Sequence, residues 1–158
     1  MTDLAQLEAK IRVLKDIEAI KRLKHKYCRC IDTKLWDELI DCFSVDASAE
    51  YYRPEWQFHG AKAIVQWIEE ADGRDYIHGV HQCHNPEIDV TGDTTAKGVW
   101  ALYSYSVDRQ ADRVSRFVGL YHDEYIKENG VWKIKSTKSS YIIREIWDRA
   151  PKLSTQFR

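Results

Sequence analysis

The chain lacks an excess of charge of either sign, with 24 Lys and Arg against 25 Asp and Glu in 158 residues. No overall field therefore favours nucleic acid, an anionic membrane surface or an acidic substrate. It lacks a repeated Cys-x-x-Cys pattern, and Cys28, Cys30, Cys42 and Cys83 fall short of the density of a secreted disulfide scaffold. Reduced thiols and a cytoplasmic location are expected. Charges stand near the start, in Met1 to Glu8, where a signal peptide needs an apolar core. No run approaches the ~18 apolar residues of a membrane span. Nucleophile elbow, phosphate-binding loop, dinucleotide fingerprint and basic stripe are all missing, which leaves acyl transfer, nucleotide chemistry and nucleic-acid binding without support. Repeats, linkers and low-complexity segments are missing too. One domain over residues 1–158 is expected, with 1–14 a leading helix and 148–158 a C-terminal tail.

Aromatic residues are abundant, with 6 Trp, 9 Tyr and 4 Phe, able to wall a pocket or to fill a core. Leu4, Leu7, Ile11, Leu14, Ile17, Ile20, Leu23 and Tyr27 recur in steps of three and four, which predicts a helix to about Asp32. Thr2 is its predicted N-cap and Asp16 a predicted bend. Leu35, Trp36, Leu39, Ile40 and Phe43 predict a second short helix, and Ile64, Val65 and Ile68 a third after Gly60. The second half changes to strand-rich runs: 77–90 interrupted at Pro86, 97–107, 116–127 and 131–146, with Asn129-Gly130 as a tight hairpin turn. Short strands near 47–52 and 56–59 flank them. Helices followed by meandering strands give an α+β class.

His78, His81 and His84 stand three apart, but on a strand His81 and Cys83 face one side while His78 and His84 face the other. The three imidazoles cannot converge on one ion without a bulge, so no metal is assigned. Asp32 lies where the dipole of the long helix disfavours a buried carboxylate. Two readings stand: it caps the helix beginning near Lys34, or it accepts a hydrogen bond from a histidine and fixes its tautomer. Tyr27 is equally a core ring or a phenol donor, and it shares a site with Asp32 only if the helix ends there.

Asp16 to Lys21, Lys26-Tyr27-Cys28-Arg29-Cys30-Ile31-Asp32 and Trp36 to Leu39 resemble the opening of SnoaL-like proteins. His81 to Ile88, Asp93 to Trp100 and Gly130 to Ile134 continue the likeness in the same order, over roughly residues 15–140. The resemblance implies the nuclear-transport-factor-two-like, cystatin-like cone: a curved, mainly antiparallel sheet packed on N-terminal helices and enclosing a small apolar molecule. Within that family the chain is similar to the bile acid 7α-dehydratases, and dehydrochlorinases and scytalone dehydratases share a similar His-Asp arrangement. Carried over by position, the resemblance makes His81 the base, Asp32 the carboxylate behind it and Tyr27 the active-site tyrosine. The family's further aspartate falls at Ser104, where no carboxylate can ionise, so Tyr27, Tyr103, Tyr105 or water must supply an acid. An ungapped count for the family arginine lands on Tyr141, with Arg144 three residues on.

The function implied is cofactor-independent dehydration of a hydrophobic polycyclic hydroxy-ketone, a steroid or bile-acid derivative, free or as a coenzyme A thioester. Ser104, Tyr103, Tyr121, Trp100 and Arg144 are its expected binding residues. Isomerisation or cyclisation of a polyketide or terpenoid, and a non-catalytic binding or assembly module, remain open on the same cone. Apolar residues of both parities, Trp100 and Leu102 against Val99 and Ala101, predict self-association as a dimer or trimer.

Overall fold

The computed structural model describes residues 4–149, so the predicted Thr2 cap and the tail beyond 149 lie outside the described residues. The long apolar stripe forms α1 (Leu4–Asp32), followed by α2 (Trp36–Ile40) and α3 (Ala61–Asp72). The strands are β1 (Phe43–Tyr51), β2 (Gln57–His59), β3 (Ile77–Val90), β4 (Thr95–Asp108), β5 (Arg113–Glu128) and β6 (Val131–Asp148). They make one six-stranded sheet in the order β2-β1-β6-β5-β4-β3, antiparallel except where β1 runs parallel to β6. The chain has an α+β fold in which α1 packs chiefly on β3 and α3 on β1, against the inner face of the sheet. Trp100, Leu102, Tyr121, Tyr125 and Ile134 from the sheet meet Ile20, Leu23, Tyr27, Ile64 and Ile68 from the helices in the core. Among the described residues no helix is long and apolar enough to cross a membrane.

Two local expectations are corrected. Instead of breaking at Asp16, α1 runs continuously through it, and the Asp16 carboxylate accepts a hydrogen bond from Trp132 Nε1 at 2.9 Å and pairs with Lys127 Nζ at 2.6 Å. Tertiary partners remove the competition with the helix backbone that an aspartate otherwise offers. The second helix stops at Ile40, and Phe43 opens β1 buried in the core. Asn129 and Gly130 both take positive φ, 50° and 81°, as the hairpin turn requires.

Leu4, Leu7, Ile11 and Leu14 on α1 are exposed, as are Ile142, Ile143, Ile146 and Trp147 on β6. The part of α1 before Asp16 thus has its apolar stripe uncovered within the chain.

Candidate active site

The end of α1 is set by its own backbone. Lys34 adopts φ 57°, Leu35 N donates to Cys30 O at 2.8 Å and Lys34 N to Ile31 O at 3.1 Å. This is the paired carbonyl capture of a Schellman motif, which stops the helix immediately after Asp32. No side chain caps α2, so Asp32 is free of the capping role. Its carboxylate turns to β3 instead. Both oxygens accept the His81 backbone N–H at 3.0 Å, and Oδ1 lies 2.8 Å from His81 Nδ1. These bonds offset the cost of a carboxylate at a helix C-terminus.

A carboxylate can only accept, so Nδ1 carries the hydrogen, and in the neutral ring Nε2 keeps its lone pair. Burial opposes the imidazolium, but the Asp32 hydrogen bond and the nearby charges of Asp72 and Asp32 outweigh it and hold the His81 pKa above its usual value. His81 is therefore a base of more than ordinary strength.

His81 forms part of the wall of a cavity of about 190 Å³. Asp32 stands behind it, lining an outer groove between α1 and β3 that His81 also borders. Across β4, Ser104 is paired with His81 in the sheet register and lines the same cavity. Phe117 and Arg144, partners in the β5–β6 register, close the next side, with the Arg144 guanidinium 5.7 Å from the Phe117 ring. Tyr52, at φ 61°, stacks on Phe117 and Tyr141 with centroids 5.5 and 5.2 Å away. A left-handed backbone is costly for a bulky residue, and here it accompanies an aromatic wall. Trp56 and Trp67 complete that wall.

Tyr141 and Arg144 differ by three positions and in a regular strand face opposite sides, yet both line the cavity. The register explains it: Val118 pairs with Ile143 and Gly119 with Tyr141, so Ile142 is bulged out. Gly119 makes the bulge possible, since a Cβ there would overlap the Ser140 carbonyl. Gly119→Ala is expected to cost about 1–3 kcal/mol and to reduce activity by withdrawing Arg144 from the cavity. A urea melt and a turnover assay check both effects, and an unchanged midpoint counts against the packing argument.

The other predicted residues fall elsewhere. Tyr27 is buried one layer back, its hydroxyl 3.3 Å from that of Tyr51 and its ring edge-on to Tyr121 and Phe43. Burial pushes its pKa well up, so it stays a phenol. Trp100 has the inward parity but lies four residues from Ser104, about 13 Å along a strand, and its indole N–H donates to Tyr125 at 2.9 Å. Tyr121, its register partner, lies under Lys24. Tyr103 has the opposite parity to Ser104 and interacts with Arg116 on the far face. Of the expected residues, the fold brings His81, Ser104 and Arg144 to the cavity and Asp32 behind it. The sequence reading missed Asp72, at the end of α3, which also lines the cavity; an acidic residue at a helix C-terminus beside a glycine was the available signal.

The profile of the SnoaL-like domain matches residues 12–138. A protein from Novosphingobium aromaticivorans assigned by name to the scytalone dehydratases is 22% identical, with a TM-score of 0.80 over 90% of this chain and 93% of that one. The hexachlorocyclohexane dehydrochlorinase LinA type 2 is 15% identical, with a TM-score of 0.80 over 90% of this chain and 98% of that one. A protein described as NTF2-like with a cystatin-like fold, also from Novosphingobium aromaticivorans, is 19% identical, with a TM-score of 0.73 over 90% and 92% of the two chains. At these identities the likeness is one of fold.

Proposed function

Because the chain belongs to the SnoaL-like domain family, we propose that its cavity is the active site of a cofactor-independent lyase that eliminates water from a hydrophobic cyclic hydroxy-ketone. The observation carrying this reading is the His81–Asp32 pair, 2.8 Å apart, with the free ring nitrogen belonging to a residue of the cavity wall. A ketone acidifies the adjacent carbon, and His81 Nε2 removes that proton. Asp32 holds the ring in register and stabilises the imidazolium. Ser104 and Arg144 are assigned to the ketone oxygen, where negative charge develops as the proton leaves. Tyr27 is assigned to support, because its hydroxyl is engaged with Tyr51 behind the cavity.

The volume limits the substrate. At about 190 Å³ the cavity falls below the range, from ~300 Å³ upwards, of typical small-molecule sites. It takes the reacting ring against Phe117 and Tyr141; a steroid or bile acid must leave the rest of its skeleton at the mouth, where Arg53 and Arg144 are exposed. A carboxylate tail or a thioester's phosphates would find cations there.

Turnover on hydroxy-ketones graded from one ring to four, followed by the absorbance of the conjugated product, tests the reading. Water loss is expected, fastest where the reacting ring is terminal. A shifted double bond without water loss would replace elimination by isomerisation, and inactivity with tight binding would favour a non-catalytic module.

A further inference from the structure

We propose that Asp72 is the general acid of this site, carrying the proton that the departing hydroxyl needs; the proposal rests on the elimination reading above. The acid expected on β4 is absent, since Ser104 stands there, and α3 supplies a carboxylic acid to the same cavity from another direction.

Two helices end at this site, each on an aspartate, and their surroundings differ. Asp32 at the end of α1 accepts the backbone and ring N–H groups of His81. Asp72 at the end of α3 makes no side-chain hydrogen bond or ion pair among the described residues, and Gly73 N bonds to Glu69 O behind it. The exposed carbonyls of a helix C-terminus repel an anion, and so does removal from water. Burial is the largest influence on Asp72 and Asp32 adds to it, while His81 and Lys34 oppose; the net effect raises its pKa. Arg53 and Arg144 are the other charged side chains lining the cavity. A carboxyl group of raised proton affinity facing a histidine base across one cavity is an arrangement that separates acid from base.

The step balances. His81 Nε2 takes the proton from the carbon beside the ketone, and the electron pair of that C–H bond becomes the new C=C bond. The C–O bond breaks, its pair leaves with oxygen, and the Asp72 proton converts the departing hydroxyl to water. Imidazolium and carboxylate then face the same cavity, and the released water relays the proton from His81 back to Asp72.

One proton shared by this pair is the working state, which sets the sign of the pH dependence. Gain of a second proton stops the base and loss of the only one stops the acid. Wild-type kcat/KM is therefore bell-shaped, with its acid limb above pH 3.8 and its alkaline limb above pH 6.5, because both groups of the free enzyme are raised from those values. With no acid at position 72 only neutral His81 is required, and activity climbs to an alkaline plateau.

The test compares Asp72→Asn and Asp72→Glu with wild type as full chains. It records kcat and kcat/KM against pH on a hydroxy-ketone that wild type converts, and titrates His81 and the Asp72 carboxyl carbon by NMR. Asp72→Asn is expected to lose ~10²-fold in kcat, to lose the alkaline limb and to show a lowered His81 pKa. Asp72→Glu should keep the bell and part of the rate. Near-normal kcat in Asp72→Asn, or a wild-type profile already rising to a plateau, overturns the proposal. If wild type converts none of the ketones, the elimination reading falls by itself. The NMR arm then still decides the acid: a carboxyl midpoint at or below 3.8 overturns it, and a raised midpoint coupled to His81 supports it.

Discussion

His81→Ala is expected to lower kcat by ~10³-fold or more while Tm moves by only a few degrees. The variant removes Nε2, the one group assigned to take the carbon-bound proton. The fold should survive because Asp32 does not depend on the imidazole alone: both its oxygens also accept the backbone N–H of residue 81 at 3.0 Å, and alanine keeps that donor. Asp32→Asn tests the other half of the pair. An amide can still offer one oxygen, but its NH₂ group faces N–H donors where a carboxylate accepted them, so the ring loses its fixed tautomer and its charge partner. A fall of ~10²–10⁴-fold and a lowered His81 pKa are expected. A Tm series against pH supplies a reading independent of substrate. Because the folded-state pKa of His81 lies above 6.5, the pair stabilises the fold fully below that pH, and the contribution is lost as pH rises through the raised value. His81→Ala should abolish that segment of the curve. Near-normal turnover in either variant would sink the assignment.

Lys24→Met is expected to be the most destabilising single change, by about 3–5 kcal/mol, and to lower Tm by roughly 10 °C. Lys24 is fully buried, with Nζ 2.7 Å from Asp123 Oδ2, also without exposure, in an ion pair off the angle of a directed hydrogen bond. The ammonium sits 3.6 Å from the Tyr121 ring centroid and 4.6 Å from that of Tyr27, so both rings face a cation. Asp123 also accepts hydrogen bonds from Tyr125 at 2.7 Å and Thr137 at 2.6 Å. Methionine fills the space and leaves that carboxylate buried without a cation, which is the costly half of a buried pair. Lys24→Met combined with Asp123→Asn should recover much of the loss, because no charge is then stranded. Thermal melts of the three variants check the order. A loss below ~1 kcal/mol in the single variant would show that the pair contributes little, as exposed pairs do. Since Lys24, Tyr27 and Tyr121 form the layer behind the cavity, Tm should respond more than kcat.

Much of this molecule is determined by patterns that act over a few residues. The three-and-four spacing up to Tyr27 is enough for α1, Asn129-Gly130 for the β5–β6 turn, and strand parity for His81 and His84 taking opposite sides of β3. The helix end at Asp32 was legible for the same reason, since Lys34 and the carbonyls it helps to satisfy are sequence neighbours. Family likeness added the pairing of Asp32 with His81, which spacing alone left open against a capping role.

What the tertiary structure alone decided depends on approaches between distant segments. Asp72 reads as an ordinary polar residue at the end of a helix until α3 is laid against the site. Ile142 shows no sign of being bulged until Gly119 admits the backbone of Ser140, and only then do Tyr141 and Arg144 share a face. Tyr27, Trp100 and Tyr121 have the periodicity of inward residues, but depth along the strand, which no local pattern encodes, places them behind the cavity. The sequence by itself determined most of the elements and which residues of each share a face. Packing decided how deep each side chain lies and raised the Asp72 pKa, because burial and the charges of distant segments are summed over the whole fold.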